Sequence, residues 1–141
     1  MEVECDGQSF IFDAGSGLRH CGESLAQRGQ MQATLLLSHF HHDHLMGLPF
    51  FSPAYQEMFS LKICGVPGSR AGIKKVLEGY LADPYFPVPL QKLMPSVEFQ
   101  NMLYGCEYRF NRVRLRTIRL NHPGGATGYR LEYAGRSFCY I

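Results

Sequence analysis

The chain has 141 residues, 45% of them hydrophobic and 18% charged, with a formal net charge of +2. That length can bury one core of its own, and the charge is too small to argue by itself for nucleic acid or an anionic membrane. No apolar run approaches a bilayer span, and Met1-Glu2-Val3-Glu4 does not open a signal peptide.

In chain order, strands alternate with helices. Residues 2–5 and 9–12 read as a hairpin around Asp6-Gly7. Residues 18–28 read as a helix with Leu18, Cys21, Leu25 and Arg28 on one face, ended by Gly29. Residues 34–38 follow as a strand, opened by the apolar run Ala33-Thr34-Leu35-Leu36-Leu37 that marks it as buried. Residues 44–51 open as a short helix, in which Pro49 is tolerable only near the first turn. Residues 61–64 form a strand, and 71–81 a helix with Ile73, Val76, Leu77 and Tyr80 on one face. Residues 83–95 carry four of the eight prolines and predict no regular element. Residues 97–99, 112–120, 128–133 and 137–141 complete the strands, with no repeat or linker between them.

The most concentrated chemistry is Ser38-His39-Phe40-His41-His42-Asp43-His44, which holds four of the six histidines. Imidazole nitrogen and carboxylate oxygen are the donors a borderline metal such as zinc prefers. The run begins where the buried strand ends, a common place for a site in an α/β sheet. If that strand continued through His41, alternation would put His39 and His41 on one face to grip one ion. Asp43 and His44 follow in the turn and would face a second ion, while His42 reads as a pocket-wall residue.

The run resembles the signature of the metallo-β-lactamase-fold hydrolases. Phe10-Ile11-Phe12-Asp13-Ala14-Gly15-Ser16-Gly17 resembles that family's early strand and turn. Leu45-Met46-Gly47-Leu48-Pro49 resembles the segment after its metal motif, and Asn121-His122-Pro123-Gly124-Gly125 the later loop that supplies a third histidine. The stretch 124–141 is similar to the phosphodiesterase-like branch, which includes RNase Z and class II cyclic-nucleotide phosphodiesterases, and Tyr85-Phe86-Pro87-Val88-Pro89-Leu90 fits bacterial members of that branch. The resemblance implies an α/β fold, a metallo-β-lactamase-like αββα sandwich, of which residues 1–141 would be the N-terminal portion.

Residue by residue, the resemblance implies His39, His41 and His122 as ligands of a first metal, and Asp43 and His44 as ligands of a second. Asp13 would support the loop beneath them. The implied cofactor is zinc, with manganese or iron suited to the same donors. The implied activity is a metal-dependent hydrolase in which a zinc-bound hydroxide attacks a phosphodiester, a cyclic nucleotide or a relative of one. Asp43 would be the catalytic residue that orients the nucleophile and passes a proton to the leaving group. The alternative within the fold is a carbonyl ester, thioester or lactone hydrolase. Family members carry a bridging Asp just after a strand like residues 136–141, and a further His much later. Without them the chain is expected to hold one well-formed metal site and one incomplete site. The non-enzymatic alternative is thus a metal-binding fragment that pairs with another chain, a homodimer included, through an open sheet edge.

Five scattered cysteines without a C-x-x-C point to free thiols and a cytoplasmic setting rather than a disulfide framework. The expected partner is a small phosphodiester or ester, with nucleic acid less favoured and no membrane. Tyr85 and Phe86 read as a rigid connection whose aromatics cap the core, ahead of a lid over the metals. Arg112, Arg114 and Arg116 alternate on one strand face, read as a solvated outer face ahead of a phosphate-binding stripe. Gly124, Gly125 and Gly128 read as a device for a tight turn after His122, and Thr127 as either a substrate contact or part of that loop.

Overall fold

Two sheets lie face to face, built from strands that differ in how many of their sides are buried. The computed structural model describes residues 1–68, 71–94 and 96–141. The first sheet holds β1 (Glu2–Cys5), β2 (Gln8–Phe12), β3 (Gln32–Leu37), β4 (Ser60–Gly65) and β5 (Val97–Asn101), in that spatial order. β1 and β2 are antiparallel across a two-residue turn in which Asp6 and Gly7 both take positive φ, the conformation such a hairpin needs. β2 through β5 run parallel, with β3 at the centre. The crossovers are α1 (Leu18–Gln27) between β2 and β3, and α2 (Gly72–Tyr80) between β4 and β5. The second sheet is an antiparallel meander of β6 (Glu107–Phe110), β7 (Val113–Leu120), β8 (Ala126–Tyr133) and β9 (Arg136–Tyr140).

Burial follows from this layering. One face of the first sheet, through Ile11, Leu35, Leu37, Leu61 and Ile63, packs on Leu18 and Leu25 of α1 and Ile73 and Leu77 of α2. Its other face, through Phe10, Phe12, Leu36 and Cys64, packs on Val113, Leu115, Tyr129 and Leu131 of the second sheet. β3 is therefore covered on both sides, which is why its sequence is continuously apolar. Helices, first sheet and second sheet make three layers of an αββα sandwich. The outer face of the second sheet carries exposed Arg116, Arg130 and Cys139.

Several elements differ from the sequence expectation. The central strand stops at Leu37 rather than Ser38, because Ser38 turns its amide to the Asp13 carboxylate. The helix expected over residues 44–51 is replaced by three short 3-10 turns, His42–His44, Leu48–Phe50 and Ser52–Tyr55, since Pro49 and Pro53 lack the amides a longer helix needs. α1 ends at Gln27, and Arg28 leaves its apolar face to bind Glu2 and Glu4 of β1 at 2.7 and 3.0 Å. Gly29 then closes the helix with φ 67°, its amide donating to the Ala26 carbonyl and that of Gln30 to Leu25. The proline-rich stretch contains one helical turn, α3 (Leu90–Leu93), and its last residue, Pro95, lies outside the described residues. β6 has no expected counterpart; its alternation of exposed and half-buried residues is only four residues long.

Candidate metal centre

The site begins with Asp13. This residue follows β2 in a left-handed conformation, φ 60°, and its carboxylate is 7% exposed. One oxygen accepts the Ser38 amide at 2.7 Å. The other accepts the Ser38 hydroxyl at 2.8 Å, His44 Nδ1–H at 2.8 Å and the Tyr140 hydroxyl at 2.9 Å. Burial, with the Asp13 charge next to it, pushes the Tyr140 hydroxyl up to about 12, so it stays a donor. One carboxylate thus ties the ends of β2 and β3, the His42–His44 turn and the last strand.

This arrangement sets the histidine tautomers. Ser38 donates to Asp13, so its oxygen accepts from His39 Nδ1–H at 3.0 Å. His44 gives its Nδ1 proton to Asp13. His122 gives its own to the Pro123 carbonyl at 2.9 Å. In all three rings Nε2 keeps a lone pair, as a metal ligand requires. His39 Nε2 faces His41 Nδ1 at 3.1 Å, with the rings edge to face. Burial, with neighbouring imidazoles, lowers the His39 pKa from its ordinary value and favours the neutral, lone-pair-bearing form.

His39, His41 and His122 each offer one ligand atom, and these atoms all lie within 4.8 Å of one another. His39 and His41 meet without a continued strand: His41 is extended (φ −71°, ψ 154°) and caps the next turn. His122 arrives from the second sheet. β8 is clamped to the end of β3 by the Thr127 amide on the Ser38 carbonyl at 2.8 Å and the Tyr129 hydroxyl on the Leu37 carbonyl at 2.6 Å. The β7–β8 loop is thereby laid over His39, with ring centroids 4.5 Å apart. Gly124 and Gly125, at φ 80° and 86°, let this loop turn back at once, and the Gly125 amide donates to the His122 carbonyl. The donor set fits a metal ion: three nitrogen ligands, two of them fixed in tautomer by outer hydrogen bonds.

Asp43 and His44 stand together beside this group. His44 Nε2 is 3.4 Å from an Asp43 oxygen, and the His44 ring is 4.1 Å from that of His39, centroid to centroid. Asp43 is largely open to solvent, with its side chain 74% exposed. The turn that presents them is held by backbone contact. The Ala14 amide donates to the His44 carbonyl, and the Gly47 amide to the Ala14 carbonyl. A Cβ on Gly47 would stand 2.0 Å from the Gly15 carbonyl oxygen, and one on Gly15 2.9 Å from that of Asp43.

His42 points away from the group, and its Nδ1 pairs with the Tyr80 hydroxyl at 3.0 Å. Thr127 is fully buried, and its hydroxyl has no hydrogen-bond partner among the described residues. Arg114 pairs with Glu132, Arg116 with Glu107 and Arg112 with Asp6, which makes this face an ion-paired outer surface. The supporting roles of Ser38 and Tyr140 have no motif to announce them; Tyr140 meets Asp13 across 127 positions of sequence.

A sequence profile of the family described as "Beta-lactamase superfamily domain" matches residues 8–141. The chain belongs to this superfamily. Among its superfamily relatives it is 25% identical to a Ribonuclease Z of Mycolicibacterium gilvum, over 96% of this chain and 51% of that protein. It is 30% identical to a Ribonuclease Z of Lacticaseibacillus casei, over 87% of this chain and 37% of that protein. The chain thus spans about half or less of the length of these relatives. Among solved structures, the metallo-beta-lactamase fold protein YhfI from Bacillus subtilis superposes with a TM-score of 0.70 at 15% identity, over 99% of this chain and 52% of that one. This likeness establishes the metallo-β-lactamase fold. Among the described residues, no helix is long and apolar enough to cross a membrane.

Proposed function

We propose that this chain carries the metal-binding half of a phosphodiester hydrolase. The observation that carries the reading is the convergence of His39, His41 and His122 within 4.8 Å, two of them with outer hydrogen bonds that free Nε2. These three would hold one ion, zinc by donor type, and Asp43 with His44 would contribute to a second. When bound, zinc lowers the pKa of a coordinated water from about 15.7 to about 7 and polarises a phosphoryl oxygen.

The remaining roles belong to the chain itself. Asp43 is open to solvent, so its carboxylate can take the proton of the attacking water. It then returns that proton to the leaving oxygen as the P–O bond breaks. Asp13 and Ser38 keep His39 and His44 from rotating. The Ribonuclease Z relatives support phosphorus as the electrophile. The ion pairing of Arg114, Arg116 and Arg130 on the outer sheet supports a small phosphodiester over a long polynucleotide tracked along that face. Five free thiols suit a reducing cytoplasm.

The test is elemental analysis of the purified chain beside His39→Ala, followed by a substrate panel. About one zinc per chain, lost in the variant, is the expected result. Bis(p-nitrophenyl) phosphate should then be cleaved in preference to p-nitrophenyl acetate and a lactone. Cleavage of the carbonyl substrates alone would sink the phosphodiester reading.

A further inference from the structure

The inner face of β7 ends in a charge. Val113, Leu115 and Thr117 are buried on that face, and Arg119 follows them on it, open to solvent where the strand nears the His122 loop. Its direct partner across the ladder is the buried Thr127, whose amide donates to the Ser38 carbonyl beside His39. Arg114 and Arg116 on the outer face are ion-paired, whereas Arg119 has no hydrogen bond or ion pair among the described residues. Its guanidinium lies over the Tyr104 ring, 5.9 Å from the centroid. The segment that carries Tyr104 is laced to β7. The Gly105 amide donates to the Thr117 carbonyl at 3.0 Å, and the Thr117 hydroxyl to the Leu103 carbonyl at 2.6 Å. Both polar ends meet the His122 loop: a Cβ on Gly125 would stand 3.2 Å from the Tyr104 hydroxyl and 3.6 Å from Arg119 Nε. The same Gly125 gives its amide to the His122 carbonyl at 2.8 Å. On the far side of β8, β9 reaches Asp13 and through it His44. The histidine group therefore has Arg119 on one flank and Asp43 with His44 on the other.

We infer that Arg119 and the Tyr104 hydroxyl form an anion subsite for a second phosphate of the substrate, one remote from the scissile bond. The inference rests on the phosphodiester reading and adds a charge to the substrate of that site. A guanidinium with no carboxylate partner presents an unused donor fork, and the phenol beside it supplies a further donor. A terminal phosphate has three oxygens to meet these donors, whereas a carboxylate has two. The Tyr104 ring under the fork limits its swing, so less freedom is lost when the anion binds. Gly125 leaves space where a side chain would crowd both donors against the loop. A diester with uncharged arms would leave the subsite empty. The preferred substrate is a small diester with one arm that ends in a phosphate.

NMR titration of the whole purified chain with inorganic phosphate tests this at the residue itself. The Nε–H resonance of Arg119, assigned by its loss in Arg119→Lys, should shift saturably with phosphate, while that of the ion-paired Arg116 stays in place. Acetate at the same ionic strength should bind at least tenfold more weakly. Tyr104→Phe should weaken the phosphate affinity read at Arg119 about tenfold, as expected for one hydrogen bond to a charged group. An unmoved Arg119 resonance would overturn the subsite, as would an equal shift at Arg116. Acetate binding as tightly as phosphate would overturn the assignment to phosphate, and an affinity unchanged in Tyr104→Phe the role of the phenol. Cleavage of bis(p-nitrophenyl) phosphate, which has no second anion, is scored apart. Cleavage without a response at Arg119 rejects the subsite alone, and a response without cleavage keeps the subsite and rejects the phosphodiester reading.

Discussion

In the first sheet, β3 is buried at every position after Gln32, because helices cover one side and the second sheet the other. In the second sheet, β7 alternates buried Val113, Leu115 and Thr117 with partly or fully exposed Arg114, Arg116 and Ile118. The candidate site draws unequally on the two. His39, His41, Asp43 and His44 all follow the doubly buried strand, whereas the second sheet delivers His122 from a loop. The lesson concerns precision. A metal site needs donors held to a fraction of an ångström, and the more constrained sheet supplies most of the proposed ones.

The two sheets should differ most in what a substitution in β3 costs. Leu37→Ala removes a side chain with no exposure and should cost roughly 2–5 kcal/mol in chemical denaturation. A cost as small as that of an outer-sheet substitution would mean that the two sheets do not differ as described. Asp13→Ala comes next. It strips a buried acceptor from the Ser38, His44 and Tyr140 donors, for a loss on the order of 3 kcal/mol. It should also weaken metal binding about 10–100-fold, read by competition with a chromogenic chelator. Unchanged metal affinity in a folded Asp13→Ala protein would deny Asp13 its orienting role.

His122→Ala sharpens the contrast, because it should abolish metal retention in elemental analysis while the melting temperature of the metal-free protein barely moves. Arg116→Ala, on the open face, should change stability by less than about 1 kcal/mol. The smallest effect lies where the sheets touch at their tips, at Asp6 and Arg112. The Arg112 guanidinium holds the Asp6 carboxyl below its ordinary value, with Nε 2.9 Å from the nearer oxygen. A depressed folded-state pKa means that the contribution is complete above the ordinary carboxylate value and is lost as pH falls through the depressed one. Arg112→Ala should therefore flatten the acid limb of stability against pH, and an NMR titration should show the Asp6 resonance moving to higher pH.

The sequence states the first sheet more openly than the second. The apolar run at residues 33–37 and the His-x-His-x-Asp-His spacing are local signals, and each survives in the structure. Even so, His39 and His41 converge for a reason the alternation rule does not contain. The strand ends early, and Ser38 turns to Asp13 before the histidines begin. His122 could be placed only through resemblance, since the Thr127 and Tyr129 clamps on β3 are contacts between distant segments. β6 is too short for its alternation to stand out. The contact of Arg119 with Tyr104 joins segments that no periodicity relates.

The Gly15–Gly47 contact sets a limit on redesign. An engineer could exchange the side chains of Asp43 or His44 to recruit a different ion, and the exposed position of Asp43 would accept many shapes. The backbone beneath them offers no such latitude, because a single methyl on Gly47 would collide with the Gly15 carbonyl at 2.0 Å. The spacing between the proposed ligands is thus the least adjustable property of this site, and their side-chain chemistry the most.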